Sequence, residues 1–359
     1  MTFSGHGKSS PAFIYKLDAG DPYSQYVPRE NAMHNFTYIG IDIGKEEICC
    51  SLPDRRPFIL ANDRAGIKAL LDQARIIDAP GNLCFVMEST SVYSSRAAEA
   101  ILELADTWVA IVPPACVNGF KQAGLIRTKN DMVDAVAIRQ FAEAKHPTPW
   151  LPPTEAQHRL RNLQVVMDNL VKAATRMKNV REKLVHEHRP DSCALASCER
   201  MIKLVGVELD ELQAEIDRVI AADAVMAADS AHLLSIPSIG PRVRNVIMSV
   251  IYAQLRNLPQ RKLLTHCGMS PKDHISGKHR GRTLMSKAGD ARVRGALYMA
   301  ALVAIQQGGL MHDYYQKQKK AGKPSKIAIV NVMRRLLYTI QGVVKSNTPF
   351  AIEVFQSRG

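Results

Sequence analysis

Apolar and polar residues alternate between Phe36 and Leu52. Ile39, Ile41 and Ile43 fall on one face and Tyr38, Gly40 and Asp42 on the other, which predicts a half-buried strand. Two short apolar runs, 83–87 (LCFVM) and 108–112 (WVAIV), read as buried strands of a mostly parallel or mixed sheet. Residues 92–105 and 131–144 between and after them read as helices, so 36–147 predicts an α/β layer domain. The segment 146–153 (HPTPWLPP) carries four prolines, which end that domain and form a stiff linker. The period then changes. Leu163, Val166, Leu170, Ala173, Met177, Val180 and Leu184 step by three and four. Past Arg189-Pro190, Ile202, Val205, Leu209, Leu212, Ile216 and Val219 do the same. This predicts two long amphipathic helices over 148–229, as an antiparallel hairpin or a coiled coil between copies. Residues 230–346 read as helical with a basic loop in the middle. They open on LLSIPSIGP, where Gly240 looks like the turn of a helix-hairpin-helix that presents backbone N–H groups to a phosphate. Residues 1–35 read as a flexible leader and 347–359 as a tail. The expected fold class is α/β plus all-α.

Composition narrows the function. Hydrophobic residues make up 46% of the 359, enough for real cores. No run of 18 apolar residues appears and the N-terminus lacks a signal-peptide pattern, so neither a membrane span nor secretion is expected. Seven cysteines, scattered and without a CxxC pair, read as free thiols of a reducing cytoplasm. The net charge of +13 lies wholly in the last third, where 230–359 hold 21 Lys/Arg against four Asp/Glu. Charge so concentrated calls for a polyanion, and DNA or RNA is the simplest.

Four carboxylates stand out. Asp42 lies in an apolar strand, Glu88 ends LCFVM, and Asp131 and Asp134 share the first turn of a helix. Clustered carboxylates repel unless a cation holds them, and hard oxygen donors suit Mg²⁺ or Mn²⁺. The order of these acids is that of an RNase H-like or junction-resolvase-like nuclease core. GIDIGK also resembles the first phosphate loop of actin-like sugar kinases, but no further glycine-rich phosphate loop follows. The basic loop offers a second chemistry. Ser276-Gly277 sits among Lys272, His274, Lys278, Arg280, Arg282, Lys287, Arg292 and Arg294, which could bind a phosphate under attack by a serine hydroxyl. Chemistry alone does not choose Ser276 over Ser270 or Ser286.

Taken in order, YIGIDIGKE, VMESTSVY, KNDMVDA, LLSIPSIGP, LLTHCGMSP, SGKHRGRTLMSKAGDARVRGALYMAALVA and GKPSKIAIVNVMRRLL resemble the DEDD transposases of the insertion sequence 110 family. Piv-type DNA invertases are relatives. The resemblance runs from about Tyr38 to Ser346 and leaves out the leader. It implies a RuvC-like N-terminal domain, a coiled-coil linker and a C-terminal transposase domain. It implies site-specific recombination of double-stranded DNA, in many members guided by a bridge RNA encoded beside the gene. It implies homodimers or homotetramers in the bacterial cytoplasm, associated with the nucleoid. By motif position it makes Asp42, Glu88, Asp131 and Asp134 the Mg²⁺-binding tetrad and Ser276 the nucleophile of a phosphoserine link. Asn130 stands where the family usually has Thr, and Asn caps a helix as well. KHRG after Ser276-Gly277 is one residue shorter than in some members. The rival readings are a protein-only invertase, a hydrolytic junction nuclease and a non-catalytic nucleic-acid-binding protein.

Overall fold

The computed structural model describes residues 36–89, 92–125, 130–272, 275–276, 279–280 and 284–351, with the backbone alone for 275, 276, 279 and 280. The leader 1–35 and most of the tail lie outside the described residues. The chain forms two compact units, 1–152 and 153–359.

The first unit is built on a five-stranded sheet. Its strands are β1 (Thr37–Ile43), β2 (Glu47–Ser51), β3 (Phe58–Ala61), β4 (Leu83–Glu88) and β5 (Trp108–Val112), in the order β3-β2-β1-β4-β5. β1 runs antiparallel to β2 and parallel to β4, and β5 extends the parallel half. This mixed sheet is consistent with an RNase H-like core. The alternation in β1 sorts its two faces. Ile39 and Ile41 share a core with Ile67, Leu70 and Leu71 of helix α1 (Arg64–Arg75) and with Ala97, Ala98 and Ile101 of α2 (Val92–Leu104). Tyr38 faces the other way, toward Ala137, Ile138 and Ala142 of α4 (Asp131–Lys145). Burying each such Ile or Leu contributes about 2 kcal/mol. Between β5 and α4 lies α3 (Pro114–Ala123), a helix absent from the sequence reading, anchored by the buried Val117.

One glycine sets the distance between sheet and α4. A Cβ on Gly40 would stand 2.1 Å from the Ala135 carbonyl oxygen and 2.6 Å from the Arg139 nitrogen. Only a residue without Cβ lets the helix backbone lie this close to β1. Arg139 adds a tie, donating from Nε to Ser51 Oγ of β2 at 3.1 Å.

The second unit opens on α5 (Glu155–Val185) and α6 (Ser192–Ala221), an antiparallel pair. A capping box starts α5 directly after the prolines, with Thr154 and Gln157 capping reciprocally. Asp191 caps α6 just past Pro190. The seam foreseen on α6 holds: Val205, Ile216 and Val219 are buried and Ile202, Leu209 and Leu212 half-buried. On α5 it holds at every seventh residue, Leu163, Leu170, Met177 and Leu184, but Val166, Ala173 and Val180 face outward. Met167 and Ala174, one position on, turn inward instead. A helix of 3.6 residues per turn offers two seams that share those sevenths, and contact with α6 and α8 selects the second.

The remaining helices are α7 (Ala224–Leu234), α8 (Pro241–Val250), α9 (Tyr252–Asn257), α10 (Gln260–His266), α11 (Ala291–Gln306), α12 (Leu310–Lys320) and α13 (Ser325–Ser346). They share one core with Leu160, Met167, Ile216, Val219 and Ile220 of the long pair. By length and composition α13 could cross a bilayer. Here it is a core helix, with Val332, Leu336, Leu337, Ile340 and Val344 fully buried. Polar side chains knit the same interior. Arg244 of α8 donates to Asp217 of α6 at 2.5 Å, to Ser230 of α7 and to its neighbour Asn245, which in turn donates to Gln213 of α6 at 2.8 Å. Asp229, 0% exposed, accepts from Tyr252 at 2.6 Å and pairs with Arg256 at 2.5 Å.

Candidate active site

Asp42 and Glu88 each follow directly on Ile41 and Met87, the last register pair between β1 and β4. Ile41 and Met87 point into the α1–α2 core, so the two acids turn to the α4 face. Helix α4 brings the other two. Asn130 caps it, accepting from the Met132 N–H at 2.9 Å, and Asp131 and Asp134 occupy its first turn. Replacing Asn130 by Ala should cost about 1 kcal/mol of stability, read as a lower melting temperature.

The two strand acids respond to burial and to neighbouring carboxylates. Burial pushes the Asp42 carboxyl above its ordinary range, and Asp131 and Asp134 push it further. Glu88 is raised by burial, then by Asp42, with a smaller push from Asp134. Lys121 of α3 opposes both rises. Its Nζ lies 2.5 Å from Asp134 Oδ1, and the two side chains are only 15% and 21% exposed. Across the sheet, Asp42 is in register with Cys49 of β2. Cys49 is 4% exposed, and its thiol is pushed up to about 11 by burial, then by Asp42 and Asp131. The sequence reading named neither Lys121 nor Cys49 as a site residue. Strand alternation could have found Cys49 once β1 and β2 were paired, whereas no local signal marks Lys121.

Donor chemistry fits a hard divalent cation, since the set is all carboxylate oxygen and Lys121 offsets its charge only in part. Among the described residues no three His, Cys, Asp or Glu side chains stand together closely enough to hold a metal as they are.

The second candidate region is the basic loop of the other unit. Ser276 lies in a two-residue strand β7 (Ile275–Ser276), opposite His279 of β8 (His279–Arg280). The side chains of Ser276 and Arg280 lie outside the described residues, as do His274, Lys278 and Arg282 entirely. Lys272 is exposed on β6 (Pro271–Lys272), which pairs with β9 (Leu284–Met285), and Lys287 is exposed just after. At the base of the loop two stretches of backbone cross, Cys267 bridging to Gly289. A Cβ on Gly289 would stand 2.3 Å from the His266 carbonyl oxygen, so this crossing requires glycine. Arg294 fastens it, donating to the Gly289 and Cys267 carbonyls at 2.7 and 3.3 Å. Arg292 pairs with Asp290, the cap of α11, at 2.7 Å. Burial pushes Asp290 up, but its bonds from Arg292 outweigh this and hold it below the usual carboxylate range. Arg292 and Arg294, expected to meet nucleic acid, are therefore already engaged within the protein. Gly240 stands directly before α8, at the helix N-terminus where the sequence places it. It caps α8 in extended backbone with open space where a Cβ would be, so sterics do not demand glycine there.

Comparison with known proteins agrees with both halves of the chain. A DEDD-type transposase model of the IS110 group matches residues 39–190, and the model described as "Transposase IS116/IS110/IS902 family" matches 230–316. The pilin gene-inverting protein of Moraxella lacunata is 24% identical over 325 residues, covering 88% of this chain and 97% of that protein. Its counterpart from Moraxella bovis is 23% identical over the same shares. The transposase for insertion sequence element IS1328 of Yersinia enterocolitica is 23% identical over 346 residues, covering 88% of this chain and all of that protein. The first model match spans the carboxylate-bearing sheet and the start of the long helices, and the second spans the basic loop. With these in place, the chain belongs to the IS110/IS116/IS902 family of transposases and is a DNA transposase/recombinase.

Proposed function

We propose that this enzyme recombines DNA through a serine–phosphate intermediate, with Asp42, Glu88, Asp131 and Asp134 as its metal-binding set and Ser276 as its nucleophile. The observation that carries the reading is the placement of Asp42 and Glu88 at the ends of neighbouring parallel strands, on the sheet face that α4 covers with Asp131 and Asp134 in its first turn. Mg²⁺ or Mn²⁺, when bound, would supply Lewis-acid polarisation of the scissile phosphate. The protein's own groups do the rest. The Ser276 hydroxyl gives up its proton, its Oγ–P bond forms, and the bond from phosphorus to the leaving DNA oxygen breaks as that oxygen is protonated. Religation reverses these changes, so phosphodiester energy is conserved without ATP. Lys272, Lys287 and the loop cations Lys278, Arg280 and Arg282 hold the DNA backbone. The turn before α8 at Gly240 adds a phosphate contact in the manner of a helix-hairpin-helix. A bridge RNA directs the choice of donor and target sites.

A nicked DNA substrate that cannot religate tests the chemistry. We expect a covalent protein–DNA adduct that maps by mass spectrometry to the peptide holding Ser276. Cleavage with no adduct would instead mean a hydrolytic junction nuclease. A second reading, a protein-only invertase, is favoured by the likeness to the two Moraxella gene-inverting proteins. Recombination by protein freed of RNA would select it. A discrete RNA copurifying with the protein expressed from its native locus, identified by sequencing, would select the guided form.

Assembly as a homodimer or homotetramer belongs to the same proposal. Val166 and Val180 are 48% and 38% exposed, and with Ala173 they recur every seven residues along α5. That spacing leaves a second seam for another copy. Val166→Glu with Val180→Glu should lower the mass seen by light scattering while leaving the melting temperature unchanged. An unchanged mass would remove the seam from the assembly.

A further inference from the structure

Lys121 stands beside the carboxylates, and no part of the mechanism above uses it. It lies on α3 one helical turn after Val117, the buried anchor of that helix, so its stem runs inward beside Val117. Its ammonium lies against Asp134, with both side chains largely shielded from water. It also acts on Asp42 and Glu88, the two strand acids. A shielded lysine paired with one member of a carboxylate set is placed where a divalent cation would otherwise act. An ammonium and a dication cannot both hold the same Asp134 oxygen without repelling each other.

We propose that Lys121 is the built-in counter-ion of the carboxylate cluster, a positioning residue whose ammonium holds Asp134 in place until a divalent cation displaces it. The inference rests on the metal reading given under Proposed function. It adds an exchange step. Without the metal an internal cation holds Asp134, and loading breaks the Lys121–Asp134 pair.

The test uses the full-length chain with Lys121→Gln and Lys121→Arg. Mn²⁺ binding is followed by isothermal titration, and melting is followed in EDTA and in saturating Mn²⁺. With the competing charge gone, Lys121→Gln should bind Mn²⁺ about five- to tenfold more tightly. Its melting temperature should fall in EDTA and match the wild type in Mn²⁺. Lys121→Arg, which keeps the charge, should resemble the wild type in both measurements. Equal or weaker Mn²⁺ binding by Lys121→Gln, or a melting loss that Mn²⁺ does not repair, overturns the counter-ion role while leaving the carboxylate site standing. Absence of Mn²⁺ binding by the wild type overturns the metal reading itself, and this inference with it.

Discussion

Asp42→Asn should leave the first unit folded and cut recombination by about a thousandfold or more, the loss typical of removing a central metal-binding or transition-state group. Asparagine fills the same space but carries no charge, so the change removes a cation-binding oxygen and little else. The same substitution should make the metal-free protein less sensitive to pH. Asp42 and Glu88 keep their protons to higher pH when folded than when unfolded. Their contribution to stability is therefore present below the unfolded carboxylate value and is lost as the pH rises through the raised folded values. The asparagine takes one group out of that balance and relieves Glu88, which Asp42 pushes up. Melting curves in EDTA across this window should be flatter for the variant, alongside a recombination assay showing the loss. Full activity in Asp42→Asn would separate the carboxylates from the chemistry altogether.

Gly40→Ala is the second large effect, and it acts by geometry. The added methyl would sit inside the Ala135 carbonyl and the Arg139 backbone, so α4 must move off the sheet. Overpacking of this kind against backbone costs about 2–3 kcal/mol. Movement of α4 carries Asp131 and Asp134 away from Asp42 and Glu88, and misplacement by about an ångström can lower a rate about a hundredfold. We expect a lower melting temperature for the first unit and weakened Mn²⁺ binding from a single methyl that touches no carboxylate. Wild-type binding and melting would show that α4 accommodates the methyl without shifting its first turn.

How far these features could be read from sequence depends on the length scale of the signal. The alternation Ile39–Ile41–Ile43 and the apolar runs 83–87 and 108–112 are local, and all three became strands. The paired acids Asp131 and Asp134 announce themselves by spacing and by the Asn130 cap, and the helix begins where that cap predicts. Lys121 carries no such mark, because its partner lies 13 residues on and is met only when α3 packs on α4. Gly40 looked like one more position on a strand face, since sequence alone does not show which backbone will lie on it. The α5 seam was read correctly at every seventh residue and shifted by one between them, because only tertiary contact chooses between two nearly equivalent stripes. Arg292 and Arg294 looked like free cations, and their carboxylate and carbonyl partners emerge only from the folded loop.

The polar knot around Arg244 has a mechanical consequence. Asp217 and Gln213 on α6, Ser230 on α7 and Asn245 on α8 are joined in one hydrogen-bonded group, so the base of α6 is clamped to two core helices at once. From Gln213 in that clamp to Ser192 at the far end of α6, the hairpin forms a stiff arm about 30 Å long. An arm clamped at one end amplifies rotation. A tilt of about 5° at the clamp swings the tip by about 3 Å, given a rise of about 1.5 Å per residue. Loads applied at the far end return to the core as torque, with little loss to bending at a hinge.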